Sequence, residues 1–370
     1  MRKILFITVT FAGTIAIGLG IGCSQDEDRG FFDGSVVTVD IPERIEYLQG
    51  TEFVLNGLYT GYMAVYDTLA FFFSPKYKDY FFAVFNLQNH DYIRNFCIAG
   101  RGPDEFLLPT SIRQFYWDKD ELKTILYDVH KKSLLICNIS KVVRGEMHYI
   151  ERNIPLIAKD SLTLFNMVFK LDKDAVMARA MEYLLDDNTS SPPQYLIKRF
   201  EEEEEDQYSF FKKSITKGIG SSFGMSPGFC FLSFDALKPS GDKLVSAMAL
   251  LSQVNIIDIS TKQKKGIRLK GTPTFKYLTE DTKPVLLYYT NVVTSDDFIY
   301  ALWCNRKFDP TQGLVSFAGN IIHVFDWEGR FVRVLNLDHT VDQIVLDQKS
   351  KTLYAKIDAD DTLFCYGKIE

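Results

Sequence analysis

The sequence predicts an all-β protein: a six-bladed β-propeller of four-stranded antiparallel blades, with the last blade closed by an N-terminal strand. Three observations lead there. Long amphipathic helical stretches are missing, and short apolar runs bounded by turn residues recur instead, the pattern of many evenly spaced strands. These runs draw on 30 Phe and 19 Tyr, with Val and Ile throughout, residue types that suit a pleated, half-buried surface. The C-terminal stretch lays out hairpin after hairpin and then ends one strand short of a full set.

The meander groups into blades along the chain. Blade one covers about 59–98, with apolar runs at 69–73, 80–85 and 92–97, and blade two covers about 111–153, with runs at 123–127 and 134–138. Blade three covers about 164–211 and blade four about 229–269, the latter with runs at 244–248 and 253–258. Blade five covers about 286–337. Its last hairpin joins 320–326 to 330–336 through Trp327-Glu328-Gly329, where glycine supplies a positive φ. Blade six has three strands, 341–347, 351–357 and 362–366. The β-prone segment 35–41 (Ser35-Val-Val-Thr-Val-Asp-Ile41) is expected to supply the fourth, which closes the ring and leaves no long edge unpaired.

The N-terminus reads as an address. Arg2 and Lys3 precede an apolar run over 4–21, which ends at Gly22-Cys23 and gives way at once to Ser24-Gln25-Asp26-Glu27-Asp28. A charged start, a short apolar stretch and a small residue before the cut describe a secretory signal peptide. A Cys directly after the cut describes a bacterial lipoprotein, although Gly20 stands where Leu is usual and Leu19 lies one residue back. The expected organisation is signal peptide 1–22, a tether over 23–34 lipidated at Cys23, and the propeller over 35–370. Acyl chains hold a bilayer at about 0.8 kcal/mol per buried methylene, so the membrane is a partner through the anchor. The acidic tail resembles export tags of surface lipoproteins, which implies an outer-membrane protein exposed on the cell surface.

Composition excludes some partners. Loss of 1–22 removes Arg2 and Lys3 and takes the formal charge from −6 to about −8. Without a basic run, no nucleic-acid partner is expected. Beyond Cys23, the cysteines Cys97, Cys137, Cys230, Cys304 and Cys365 lie in apolar, strand-like surroundings and read as small buried thiols. No C-x-x-C or H-x-x-x-H spacing supports a metal site, and no cofactor is expected. Gly224-Met225-Ser226-Pro227-Gly228 matches G-x-S-x-G, but Pro227 lacks the N–H that such an elbow needs for an oxyanion. The run Glu201–Asp206 reads as a solvated face, and 184–193 as a loop.

One segment, Gly100-Arg101-Gly102-Pro103-Asp104-Glu105-Phe106, resembles a motif of a family of lipoproteins with a TolB-like six-bladed propeller. The resemblance implies the propeller and an envelope location but no reaction. TolB itself docks envelope proteins, which is analogy. From the residues alone, Gly100 and Gly102 permit unusual backbone angles and Pro103 stops strand pairing. An Arg101–Glu105 ion pair would pin the turn. If Arg101, Asp104 and Glu105 instead face the channel, they form a ligand-binding site. No catalytic residue emerges. The expected function is a lipid-anchored binding or docking module for a protein or glycan partner. The alternative is a lactonase-, lyase- or hydrolase-like propeller acting on carbohydrate in the axial channel. Three or more converging carboxylates or amides on the channel wall would favour the enzyme.

Overall fold

The computed structural model describes residue 28 and residues 30–158, 163–172, 174–181, 194–200, 205–212, 218–219, 227–280, 283–307 and 317–370. The signal peptide, Cys23, the loop 184–193, residues 201–204 and Gly224-Met225-Ser226 lie outside the described residues.

Three short strands lead the chain: β1 (Ser35–Val39), β2 (Ile45–Leu48) and β3 (Thr51–Phe53). Six antiparallel blades follow. Blade 1 is β4 (Tyr62–Tyr66), β5 (Leu69–Phe73), β6 (Tyr80–Asn86) and β7 (Tyr92–Ile98). Blade 2 is β8 (Phe115–Asp118), β9 (Glu121–Asp128), β10 (Ser133–Asn138) and β11 (Ile150–Pro155). Blade 3 is β12 (Phe165–Lys170), β13 (Ala175–Ala180), β14 (Tyr195–Arg199) and β15 (Glu205–Tyr208). Blade 4 is β16 (Ser233–Leu237), β17 (Lys243–Met248), β18 (Gln253–Asp258) and β19 (Lys264–Leu269). Blade 5 is β20 (Leu286–Thr294), β21 (Phe298–Lys307), β22 (Gly319–Asp326) and β23 (Phe331–Val341). Blade 6 is β24 (Gln343–Leu346), β25 (Thr352–Lys356) and β26 (Leu363–Lys368), completed by β3.

Alternation along each strand explains why the sheets stand radially. Successive side chains of a strand point to opposite faces. On β17, Leu244 and Met248 pack toward blade 3, while Val245 and Ala247 pack toward blade 5. Every blade is thus buried on both faces, which is why runs such as Leu69-Ala-Phe-Phe-Phe73 are continuously apolar. One cluster fills each junction between neighbouring blades. A fully buried Phe contributes about 1.5–3 kcal/mol, and Phe71, Phe72, Phe82, Phe85 and Phe96 are all of that kind.

Closure differs from expectation in its strand. The segment 35–41 does not complete blade 6. Its β1 adds to blade 4 instead, parallel to β19, from Ser35↔Lys265 to Val39↔Leu269. β2 adds in parallel to β23 of blade 5, and β3 pairs antiparallel with β26 through Leu363↔Phe53 and Cys365↔Thr51. The cause is connectivity. The leading segment passes along the rim from blade 4 to blade 6, and only its last piece, just before β4, reaches the blade beside blade 1.

The strap starts earlier than residue 35. Within the stretch expected to be a tether, Asp28 is buried and its carboxylate accepts from Arg268 Nη1 at 2.8 Å and Nη2 at 3.0 Å. Arg268 also donates to Gln253 Oε1 at 2.5 Å and lies 5.3 Å over the Phe275 ring. Phe32 is fully buried against Phe210, Phe211 and Phe275.

Candidate functional site: the axial cavity

Five of the six blades, all but blade 3, line an open cavity of about 320 Å³ at the inner strands of the ring. Its wall includes Tyr62 to Tyr66 from β4, 111–115 leading into β8, Asp235 to Leu237 from β16, Asn291 to Thr294 from β20 and Gln343 to Leu346 from β24. Polar side chains on or beside this wall stitch all six junctions. Trp117 Nε1 donates to Tyr66 Oη at 2.5 Å between blades 1 and 2. Gln114 exchanges two hydrogen bonds with the Lys170 backbone, at 2.8 and 3.1 Å, between blades 2 and 3. Thr294 Oγ1 donates to the Leu237 carbonyl at 2.7 Å, and Gln348 Nε2 to the Thr294 carbonyl at 2.5 Å. Between blades 6 and 1, Gln343 Oε1 accepts from Met63 N at 3.0 Å, and its Nε2 donates to Asp358 at 2.9 Å.

The junction between blades 3 and 4 holds a buried charge network. Asp235 Oδ2 accepts from Tyr195 Oη at 2.6 Å and from Arg179 Nη1 at 3.1 Å, and Oδ1 accepts from Ser233 Oγ at 3.1 Å. Arg179 also donates to the Ser233 carbonyl at 2.7 Å. Burial pushes the Tyr195 hydroxyl well up, and the Asp235 charge adds to the shift. The network fixes Asp235 as an acceptor between blades.

Four wall residues behave differently. Among the described residues, the side chains of Ser111, Arg113 and Asn291 and the hydroxyl of Tyr62 have no hydrogen-bond partner and no ion pair. Arg113 is enclosed by the ring, yet more than a third of its surface is accessible because it faces the open cavity. Burial lowers its guanidinium from the ordinary value, Tyr62 and Asp235 push it up, and Arg179 pushes it down. Ser111 and Arg113 lie in the segment that leads into β8, and both line the cavity. Asn291 sits where the β20–β21 register shifts, and a bulge of this kind re-aims a side chain.

The sequence-predicted site residues lie elsewhere. Arg101, Asp104 and Glu105 are not among the cavity-lining residues. They form a turn between blades 1 and 2, in which Glu105 Oε2 accepts from Gly102 N at 2.7 Å and Lys131 Nζ donates to the Gly102 and Glu105 carbonyls at 2.6 and 2.5 Å. A Cβ on Gly100 would lie 2.0 Å from Glu105 Oε2, so a side chain there would push the carboxylate out of its turn. Among the described residues no ion pair joins Arg101 to Glu105; the carboxylate serves the backbone of its own turn. Cys97, Cys137 and Cys230 are buried free thiols, and Cys304 and Cys365 are half-buried and free. His323 is a core residue between Trp303 and Phe331, with Nδ1 3.2 Å from Tyr289 Oη, and burial lowers it to about 3. Among the described residues no group of three or more His, Cys, Asp or Glu could hold a metal ion.

Comparison with known proteins agrees with the ring. A family model described as TolB-like 6-blade propeller-like matches residues 249–349. A member of the DUF4221 family from Bacteroides vulgatus is similar in structure, with a TM-score of 0.57 and 12% identity, over 87% of this chain and 96% of that one. A putative exported protein from Bacteroides fragilis is similar with a TM-score of 0.52 and 11% identity, over 88% of this chain and 99% of that one. At these identities the likeness concerns the fold alone. No curated protein matches the chain.

Proposed function

We propose that this TolB-like six-bladed propeller is a lipid-anchored binding module of the cell envelope, held on the outer membrane and exposed on the cell surface, which takes a glycan into its axial cavity. The observation that carries the reading is the cavity wall itself. Most of its polar side chains tie blade to blade, while Tyr62, Ser111, Arg113 and Asn291 line the open volume with no side-chain hydrogen bond or ion pair among the described residues. The Asn291 side-chain oxygen is buried without a partner, at a cost of about 1–3 kcal/mol, and Tyr62, Ser111 and Arg113 line the same volume with their polar groups open to it, which is the mark of a site completed by a ligand. The volume lies at the small end of ligand pockets. That suits a sugar unit better than a protein surface.

Binding fits the wall better than catalysis does. Four amides line it, Gln114, Asn291, Gln343 and Gln348, but three of them are engaged between blades. The lining carboxylate, Asp235, is held by Arg179, Tyr195 and Ser233, which leaves it unsuited to act as a base or nucleophile.

Two experiments test the reading. Filling the cavity with Ala236→Trp is expected to abolish glycan-array binding shown by the unaltered protein, and binding that persists in this variant would refute an axial site. Cys23→Ala is expected to move the protein from the membrane to the soluble fraction and to remove incorporated labelled palmitate. Retention of both would refute the anchor.

A further inference from the structure

We infer that the axial cavity selects an acidic sugar, and that Arg113 is the residue that grips its carboxylate; this rests on the cavity being the binding site. The charge balance of the wall points there. Arg179 is matched by Asp235 across the junction between blades 3 and 4. Lys238 is paired with Asp242 at 3.5 Å and lies 5.8 Å over the Trp327 ring. Arg113 alone among the lining cations makes no ion pair among the described residues, and the Asp235 carboxylate that acts on it from further off is already held by Arg179. In a chain of net charge −6, the cavity therefore holds one unneutralised positive charge. Its complement is a monoanion.

The shape of the donor set narrows the anion. A guanidinium presents paired N–H donors in a plane, which match the two oxygens of a carboxylate. A phosphate dianion would leave a charge over, since among the described residues no second unpaired cation lines the wall. The other unpartnered groups suit hydroxyls. The Asn291 amide both donates and accepts, as do the Ser111 and Tyr62 hydroxyls. Tyr62 is 55% exposed and lies stacked on Phe73 at 6.4 Å, so its ring offers a supported flat surface to the C–H face of a pyranose. A carboxylate, several hydroxyls and one apolar face together describe a uronic acid, as a single sugar or at the end of a chain.

The experiment uses the detergent-solubilised full-length protein and isothermal titration. The probes are glucuronic, galacturonic and mannuronic acids, the corresponding neutral hexoses, and inorganic phosphate. At least one acid is expected to bind roughly tenfold to a hundredfold more tightly than its neutral counterpart, the worth of a charge-assisted hydrogen bond pair. Arg113→Met is expected to remove that preference, Arg113→Lys to restore part of it, and rising salt to weaken the acid more than the hexose. Equal affinity for acid and hexose, an acid preference that survives Arg113→Met, or tighter binding of phosphate than of every acid would overturn the inference. Hexose binding that Ala236→Trp abolishes and Arg113→Met leaves alone would overturn it while the binding-module reading stands. Binding of no sugar at all, or binding indifferent to Ala236→Trp, would overturn both. Circular dichroism of each variant confirms the ring before titration.

Discussion

The seams of the ring and the wall of its axial cavity treat polar side chains in opposite ways. Away from the cavity, buried cations of the ring are matched: Arg179 by Asp235, Arg268 by Asp28, and Lys356, with no exposed side-chain surface, by Asp358 and Asp361. On the cavity wall, Arg113 and Asn291 stand among partners but bond to none of them. Arg179 fixes two sheets and Arg268 fixes the strap to blade 4, whereas the cavity arginine makes no ion pair or hydrogen bond among the described residues. The difference separates residues that the fold needs from residues that the fold tolerates.

The same contrast appears at the rim. Blades 4 and 5 have their outer strands covered by β1 and β2, and blade 6 takes its outer strand from β3. Blades 1, 2 and 3 end in β7, β11 and β15, which carry no further strand among the described residues. Those edges carry charge, with Arg94 on β7, Glu151 and Arg152 on β11, and Asp206 on β15. Charged residues on an open edge discourage pairing with another chain. The acidic run that ends at Asp206 therefore leads into an edge strand, and Asp206 pairs there with Lys262 at 3.4 Å.

The largest effect is expected from removing the strap. Deleting 28–53 takes away both rim strands and the closure of blade 6, and cooperative urea unfolding should be lost. Deleting 28–41 spares β3, so cooperative unfolding should remain at a lower midpoint. Identical curves for the two deletions would show that closure by β3 carries no special weight.

Next come the seam pairs. Arg179→Met leaves Asp235 buried and Asp28→Asn leaves Arg268 buried, and each is expected to cost about 3–5 kcal/mol by chemical denaturation. A cost near zero for either would erase the contrast between seam and wall. His323 gives a smaller, pH-dependent effect. Burial holds it neutral in the fold, lowered to about 3, against roughly 6.5 in the unfolded chain. As pH falls, the unfolded chain takes the proton first. The stability present above about pH 6.5 is therefore lost down to about pH 3, at roughly 1.4 kcal/mol per unit. Between pH 7 and 5, His323→Gln should lose about 1–2 kcal/mol less than the unaltered protein; equal slopes would show that His323 titrates normally.

The blades were legible in the sequence because a sheet buried on both faces must be apolar at nearly every position, and runs such as Tyr80-Phe-Phe-Ala-Val-Phe85 announce it. The closing strand was not. Thr51-Glu52-Phe53 is short and carries an acid, while 35–41 is the better strand by composition; the choice is made by where the chain must arrive before β4. The seam pairs left a faint signal, since Arg179 interrupts the apolar run of β13 and Asp235 that of β16. Arg113 left none. Which residue of an inner strand faces the axis depends on how the blades tilt and pack, and Ser111-Ile-Arg-Gln-Phe115 reads like any loop running into a strand. Gly100–Phe106 was legible as a turn, but the partner of Glu105 was its own backbone and not Arg101.

The most direct measurement is the urea unfolding free energy of Arg113→Met beside that of Arg179→Met. Stability within about 0.5 kcal/mol of the unaltered protein is expected for Arg113→Met, because no protein group loses a partner. A loss as large as that of Arg179→Met would contradict the account, and would make Arg113 one more stitch in the ring.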